Sequence, residues 1–335
     1  MSLLVPQQAG NEATKLAQLI TECGSIMTLP NDLQSPFSKY LARSSINWLK
    51  RYTIGQIYKE RAKVGGLREI LELAYDIVSP SYASTLTDAE VIATISDVFH
   101  DDRMRLNGSV TLQICHHQLL KAVLVHCGIA EDQRTEVCKI FQTRRQSKET
   151  TQSRLLQLGV PWQSADVLVE LLALKGSFSK VMTSLTNISI EAAAMAKLAF
   201  DEMRAIVEHA QFMGLRRKTT AVVMKLSAQN YSTYSGIVFR FVCPSKLNKY
   251  TLPHYWFYLL TTINLFVFFF LVRDKAEILA SGGRYDALVS QHRNRFNQNQ
   301  NVTGSLDDYP SVVGASIHMD AVMSLMKELV PLVAV

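Results

Sequence analysis

The 335 residues carry a mild basic excess, Lys+Arg 35 against Asp+Glu 29 for a formal charge of +6, with 48% hydrophobic and 19% charged residues. This composition excludes a disordered tail or a fibrous repeat as the bulk of the chain and leaves room for one sizeable core with an inserted subdomain. The charge eases encounter with an anionic partner such as RNA without requiring one. Five cysteines, an odd number with no paired spacing, exclude a disulfide framework and indicate free thiols in a reducing compartment.

The opening run MSLLVPQQAGNEATKL lacks the basic start and apolar stretch of a secretory signal, so a cytoplasmic location is expected. Up to about Ser45, Pro30-Asn31-Asp32 and Ser35-Pro36 punctuate short apolar runs, which reads as a frayed start. KRYTIGQIYKE and LELAYDIVSP, rich in β-branched and aromatic residues around the Gly65-Gly66 turn, predict a strand hairpin. Thr87 with Glu90 forms a capping-box pattern ahead of a helix whose apolar face carries Val91, Ile92, Ile95, Val98 and Phe99. Ser109 to Cys115 alternates as a strand. HHQLLKAVLVHCG is a helix stopped by Gly128, and helical sequence continues to about Gly214. Sheet-like signals return at YSGIVFRFVC, LASGGRYDALV and SVVGASIHM before a last helix, DAVMSLMKELV. Strands and helices do not alternate, so the order suits an α+β core with a helical insertion better than a βαβ repeat.

Few residues announce chemistry. Lys50-Arg51 and Arg216-Arg217-Lys218 are candidate phosphate contacts, with solvated helix ends as the plain alternative, as for Arg144-Arg145. Cys115, His116, His117, His126 and Cys127 lack a CxxC pair and cannot all converge, so no metal is expected. Tyr255–Val272, YWFYLLTTINLFVFFFLV, is bilayer-length and uncharged. Removing roughly 244–272 leaves GIVFRFVC followed by RDKAEILASGGRYD, which reads as a normal strand connection. The segment is therefore read first as translated non-coding sequence, then as a buried insertion, and last as a membrane span. As written it is an aggregation risk.

The string Ser281-Gly282-Gly283-Arg284-Tyr285-Asp286 pairs glycines that allow close backbone approach with an Arg and a Tyr able to line a pocket. Together with GIVF at Gly236–Phe239 and KRYTIGQIYKERAKVGGLREILELAYDI, it resembles the histidyl-tRNA synthetase family. The likeness runs from about Gly24 to the C-terminus. Still closer is the similarity of MTLPNDLQSPFSKYLARSSINWLKRY, LLKAVLVHCGIAED and EILASGGRYDALV to the synthetase-like domain of the general-control kinase of translation initiation factor 2. The resemblance implies a class II aminoacyl-tRNA synthetase-like antiparallel sheet core with a helical insertion. Residues 1–126 and 226–335 would form the core, with an anomalous apolar insert at about 244–272, and residues 127–225 the insertion.

Adenylate chemistry grips phosphates with bidentate guanidinium groups, which lysine does not replace. The resemblance sets Lys59 and Arg61 where motif 2 has Arg and Glu, Gln229 where an arginine precedes GIVF, and Arg240 in place of the glutamate after it. At motif 3 it sets Ala321 for the Arg, Asp320 for the preceding Glu and His318 for a Gly. At about 2 to 4 kcal/mol per lost contact, three losses remove several powers of ten in rate, so adenylation is not expected. Arg68, Glu69, Asp76, Gly282, Gly283, Arg284, Tyr285 and Asp286 are read as holding the fold, with a vestigial histidine pocket as the alternative.

By resemblance the function is regulatory: binding uncharged tRNA and signalling amino-acid starvation, in the integrated stress response, to a kinase of the initiation factor 2 α subunit. No Gly-rich nucleotide loop, HRD or DFG string occurs in these residues, so kinase activity is expected to reside elsewhere. The implied partners are uncharged tRNA, a kinase domain of the same or a longer protein, the ribosome and a second copy of the chain; neither a cofactor nor a membrane is implied. The competing readings are an active histidine–tRNA ligase, a membrane-anchored protein using 255–272, and a regulatory subunit of histidine biosynthesis.

Overall fold

The structure, a computed structural model, describes residues 5–6, 17–60, 67–80, 84–101, 110–142, 147–185, 188–215, 221–226, 228, 231–244, 276–300 and 310–329. The first elements are β1 (Val5–Pro6), β2 (Gln18–Ile20) and β3 (Ile26–Thr28), which make a small antiparallel sheet in the order β1-β3-β2. Helix α1 (Gln34–Ala42) follows, in the stretch expected to be frayed. The Pro36 that suggested a break lies in the helix's first turn, where its missing N–H has no intrahelical role. Asp32 caps that turn by accepting from the Ser35 N–H at 2.6 Å. Phe37, Leu41 and Ala42 are buried beneath the helix.

The expected hairpin is β4 (Leu49–Glu60) and β5 (Leu67–Ser79), antiparallel from Leu49↔Val78 to Glu60↔Leu67. Helix α2 (Ser84–His100) begins earlier than its capping-box pattern suggested. Thr87 lies inside the first turn, with its hydroxyl donating to the Ser84 carbonyl at 2.9 Å. Strand β6 (Thr111–His116) passes directly into α3 (His117–His126), capped by His116 Nδ1, which accepts from the Gln118 N–H at 3.1 Å. Gly128, at φ +70°, ends α3. A helical block follows: α4 (Glu131–Gln142), α5 (Lys148–Gln157), α6 (Trp162–Leu172), the short β7 (Lys175–Gly176), α7 (Phe178–Ser184) and α8 (Ile190–Phe212). The chain then returns through β8 (Ala221–Lys225), β9 (Ile237–Pro244), β10 (Ala276–Arg284), α9 (Asp286–Gln300), β11 (Ser311–His318) and α10 (Met319–Leu329). The DALV segment expected to be sheet-like starts α9.

One sheet of eight strands, ordered β4-β5-β11-β10-β9-β6-β8-β7, organises the molecule. All its pairings are antiparallel except β6 with β8. Period-2 alternation gives it two faces. Ile77, Leu112, Ile114, Ile237, Phe239, Phe241 and Val313 enter the main core with α2, α3 and α8. In α8, buried Ala192, Ala196, Ala199 and Ala210 keep the surface facing the core low, suiting close packing on α2 and α3. On the other face, Phe37 and Leu41 of α1 and Val289 of α9 cover Val78, Val312, Tyr234 and Tyr285. On the same face Leu33 covers Ile57 and Ala74, and the polar remainder forms a floor between these clusters.

Strands β9 and β10 pair as far as Pro244↔Ala276. Residues 245–275, which include the apolar run, therefore join the adjacent ends of two neighbouring strands and lie outside the described residues. Among the described residues, no helix is long and apolar enough to cross a membrane.

Candidate functional site

Alternation decides which polar side chains reach the open floor. From β5 come Glu72 and Asp76; from β11, Gly314, Ser316 and His318; from β10, Ser281 and Gly283; from β9, Arg240; from β6, Gln113. The registers Asp76↔Gly314, Ser281↔Ser316, Ser281↔Arg240 and Gln113↔Arg240 set them side by side.

Asp76 anchors the β4–β5 side. Fully buried, it accepts from Arg51 Nε at 3.0 Å and Nη2 at 2.8 Å on one oxygen, and from Tyr285 Oη at 2.7 Å on the other. The Arg51 guanidinium also lies 3.3 Å from the Phe37 ring centroid, a cation–π contact in a largely desolvated place. Burial raises the Asp76 carboxyl against the opposing pull of Arg51. Lys50, the neighbour of Arg51, projects from the opposite sheet face, pairing with Glu90 of α2 at 2.5 Å. The two cations expected to act together are therefore on different faces.

Glu72 is held by the Leu33 N–H and by Ser316 Oγ, each at 3.0 Å. Burial raises its pKa, and His318 Nδ1 lies 3.9 Å from its second oxygen. His318 is nonetheless pushed down to about 4, by burial first and then by Lys59 and Arg240.

Every residue of the Gly282–Asp286 string is engaged within the fold. A Cβ at Gly282 would lie 2.8 Å from Ala315 Cα, and one at Gly283 would lie 2.5 Å from the Ile237 carbonyl oxygen. Arg284 turns to the helix-covered face, where Nη2 donates to Asp88 at 2.5 Å and to the Ser84 carbonyl at 2.7 Å, and Nη1 donates to Ser311 Oγ. Asp286 accepts from the Val312 N–H at 2.5 Å, tying the start of α9 to β11. Arg68 reaches Asp320 at 2.7 Å across an exposed edge, and Glu69 is exposed. Lys59 is exposed opposite Arg68 in the hairpin, and Ala321 is half-buried in the first turn of α10. Arg61, Arg216, Arg217, Lys218 and Gln229 lie outside the described residues.

Three floor residues were not singled out as contacts: Gln113, Lys225 and Arg240. They line a shallow cleft, open to solvent, with Cys115 and Val238. The signal was present in IVFRF, where apolar residues alternate with Val238 and Arg240.

The sheet order, the hairpin and the helix-covered face define a class II aminoacyl-tRNA synthetase-like fold. The fold matches histidyl-tRNA synthetase from Nostoc sp. PCC 7120 with a TM-score of 0.64 at 16% identity, covering 98% of this chain and 67% of that one. The chain belongs to the histidyl-tRNA synthetase family, whose family model matches residues 7–249. It is 27% identical over 322 residues to the human eIF-2-alpha kinase GCN2, covering 93% of this chain but only 17% of the kinase. It is 22% identical over 330 residues to the cytoplasmic histidine–tRNA ligase of Dictyostelium discoideum, covering 95% of this chain and 58% of the ligase. The chain thus spans about a sixth of the length of the kinase it matches.

Proposed function

We propose that this chain is a non-catalytic, synthetase-like regulatory domain that binds uncharged tRNA and reports amino-acid starvation to a kinase domain acting on the initiation factor 2 α subunit. The observation that carries the reading is the state of the guanidinium groups on the motif 2 side. Arg51 is held by Asp76 and Arg68 by Asp320. Ala321 brings no charge. Among the described residues, that side offers no uncommitted guanidinium to stabilise charge developing on an α-phosphate, which is where such catalysis obtains most of its rate. The similarity to the human kinase over 93% of the chain supports a regulatory role for the retained fold.

In this reading the helical block within 127–225 is an insertion in the core. Lys50 and Arg216–Lys218 meet tRNA phosphates, while Arg51 holds the hairpin. A second copy of the chain and the ribosome are the further partners, and the setting is cytoplasmic.

Two assays on the purified chain test this. Histidine-dependent pyrophosphate exchange should stay at background; measurable exchange overturns the non-catalytic half. Filter binding should show deacylated tRNA retained more tightly than aminoacylated tRNA. For four phosphate contacts, affinity should fall roughly 150-fold between about 50 and 200 mM salt. Equal retention of both tRNAs, or a salt-independent affinity, overturns the other half.

A further inference from the structure

Across β9, β6 and β8 the floor changes character. Arg240 lies opposite Gln113 in the β6–β9 ladder, and Gln113 lies opposite Val223 in the β6–β8 ladder. Lys225, two residues beyond Val223, returns to the same face. Neighbouring strands are about 4.8 Å apart, so long side chains from all three converge. They do so at the cleft they share with Cys115 and Val238.

Among the described residues, no carboxylate answers these cations. Among the described residues, neither Arg240 nor Lys225 makes an ion pair or a hydrogen bond, although Arg240 is half-buried. Each is pushed below its ordinary pKa, by burial first; Arg240 also acts on Lys225, as does Lys175. The floor's carboxylates are committed elsewhere, Glu72 to Leu33 and Ser316, and Asp76 to Arg51 and Tyr285. Tyr234, the acidic group acting most strongly on Arg240, is held neutral by its own burial. Two partly desolvated cations held together without a partner cost stability, so a fold under selection for stability alone would not keep them.

We propose that Gln113, Lys225 and Arg240 form an oxyanion-binding subsite that takes a phosphate group, contributed either by a bound RNA strand or by a free phosphate ion. The guanidinium offers two parallel donors, the ammonium a point charge and the amide a neutral donor. A free phosphate dianion matches the two cations in charge, and an RNA phosphodiester, with one negative charge, offers the same oxygens to their donors. The subsite stands apart from the motif 2 side of the floor and does not depend on tRNA being the ligand there.

The test uses the full chain and the variants Arg240→Gln, Lys225→Gln and Lys197→Gln, the last an exposed α8 control with the same charge change. Thermal melting is followed against sodium phosphate and against sodium chloride at matched ionic strength. Anisotropy of a labelled single-stranded RNA 12-mer is followed in parallel. If free phosphate is the ligand, it raises the melting temperature beyond chloride, and Arg240→Gln and Lys225→Gln each weaken that response about tenfold while Lys197→Gln does not. If RNA is the ligand, the same two variants lose about tenfold in RNA affinity while the phosphate ion has no effect. In both cases, unliganded Arg240→Gln melts no lower than wild type. Variants indistinguishable from wild type in both assays, or equal losses in Lys197→Gln, overturn the subsite. Lys225→Gln, at an exposed position, keeps the test readable should Arg240→Gln fold poorly. Loss of tRNA binding alone, with the phosphate response intact, would count against the regulatory reading and not against the subsite.

Discussion

Gly314→Ala should be among the most damaging single-methyl additions available to this chain. A Cβ there would overlap Asp76 Oδ1 and lie 2.9 Å from its Cγ and 3.0 Å from the Tyr75 carbonyl oxygen. Asp76 cannot yield freely, because Arg51 holds one of its oxygens and Tyr285 the other. Relief means strain of about 1–3 kcal/mol from overpacking, or rotation that strands the buried Tyr285 hydroxyl at about 1–3 kcal/mol. Removing a strand glycine returns about 0.5–1 kcal/mol, so a net loss of about 1–2 kcal/mol is expected. Gly55→Ala is the matched control: its Cβ would meet only the Leu33 side chain, at 3.0 and 3.6 Å, and should cost under about 1 kcal/mol. Urea unfolding of both variants, of Asp76→Ala and of the double variant gives the comparison. Asp76→Ala should itself cost about 3–5 kcal/mol by leaving Arg51 unpaired. The double variant should cost little more than Asp76→Ala, because the clash partner is gone, giving a coupling of about 1–2 kcal/mol. Gly314→Ala costing no more than Gly55→Ala, or strict additivity in the cycle, would refute the picture of a clamped carboxylate.

Further outcomes follow from the same geometry. His318 is held down to about 4 in the folded chain against an ordinary value of 6.5, so the unfolded chain takes up a proton that the folded chain refuses, and this contribution to stability is lost as pH falls from 6.5 towards 4. Glu72 and Asp76, whose values are raised, act in the opposite sense. The His318 term is therefore isolated as the difference between wild type and His318→Gln. The variant should lose on the order of 2 kcal/mol less over that window in urea melts at stepped pH, and parallel curves would contradict it. Replacing residues 245–275 by an Asn-Gly turn should leave the melting temperature unchanged or higher and raise the soluble yield, because Pro244 and Ala276 are already paired neighbours and loop closure becomes easier by about 2 kcal/mol. A shortened chain that fails to fold cooperatively in calorimetry would show the segment to be structurally required.

Much of the architecture was legible because alternation and capping are local. The β4–β5 hairpin, the helix ended by Gly128 and the strand at GIVF all follow from patterns a few residues long. What escaped depended on context. Pro36 reads as a breaker unless its first-turn position is known. Thr87 reads as a cap until Ser84 is seen to lie inside the helix. DALV after GGRY looks strand-like until Asp286 is seen holding Val312 and opening α9. The link from Asp76 to Gly314 and Tyr285 was not recoverable from local pattern, since it depends on which strands neighbour one another. Alternation could have separated Lys50 from Arg51. Arg240 was visible as a lost glutamate, but only the ladder to Gln113 and the nearby Lys225 show it as a gained positive charge.

These charges divide the floor. On the β4–β5–β11 side, among the described residues, Arg51 and Arg68 hold carboxylates and tie down the hairpin and the start of α10. On the β9–β6–β8 side the cations make no ion pair among the described residues, and His318 on β11 is kept neutral instead of adding to the repulsion. Random decay of a catalytic pocket would remove charge indiscriminately and relax towards apolar packing, because unpaired buried charge is the costliest state a floor can keep. The retained charge is of the sign that attracts phosphate, and Arg240 carries it from a half-buried position on an interior strand of the sheet.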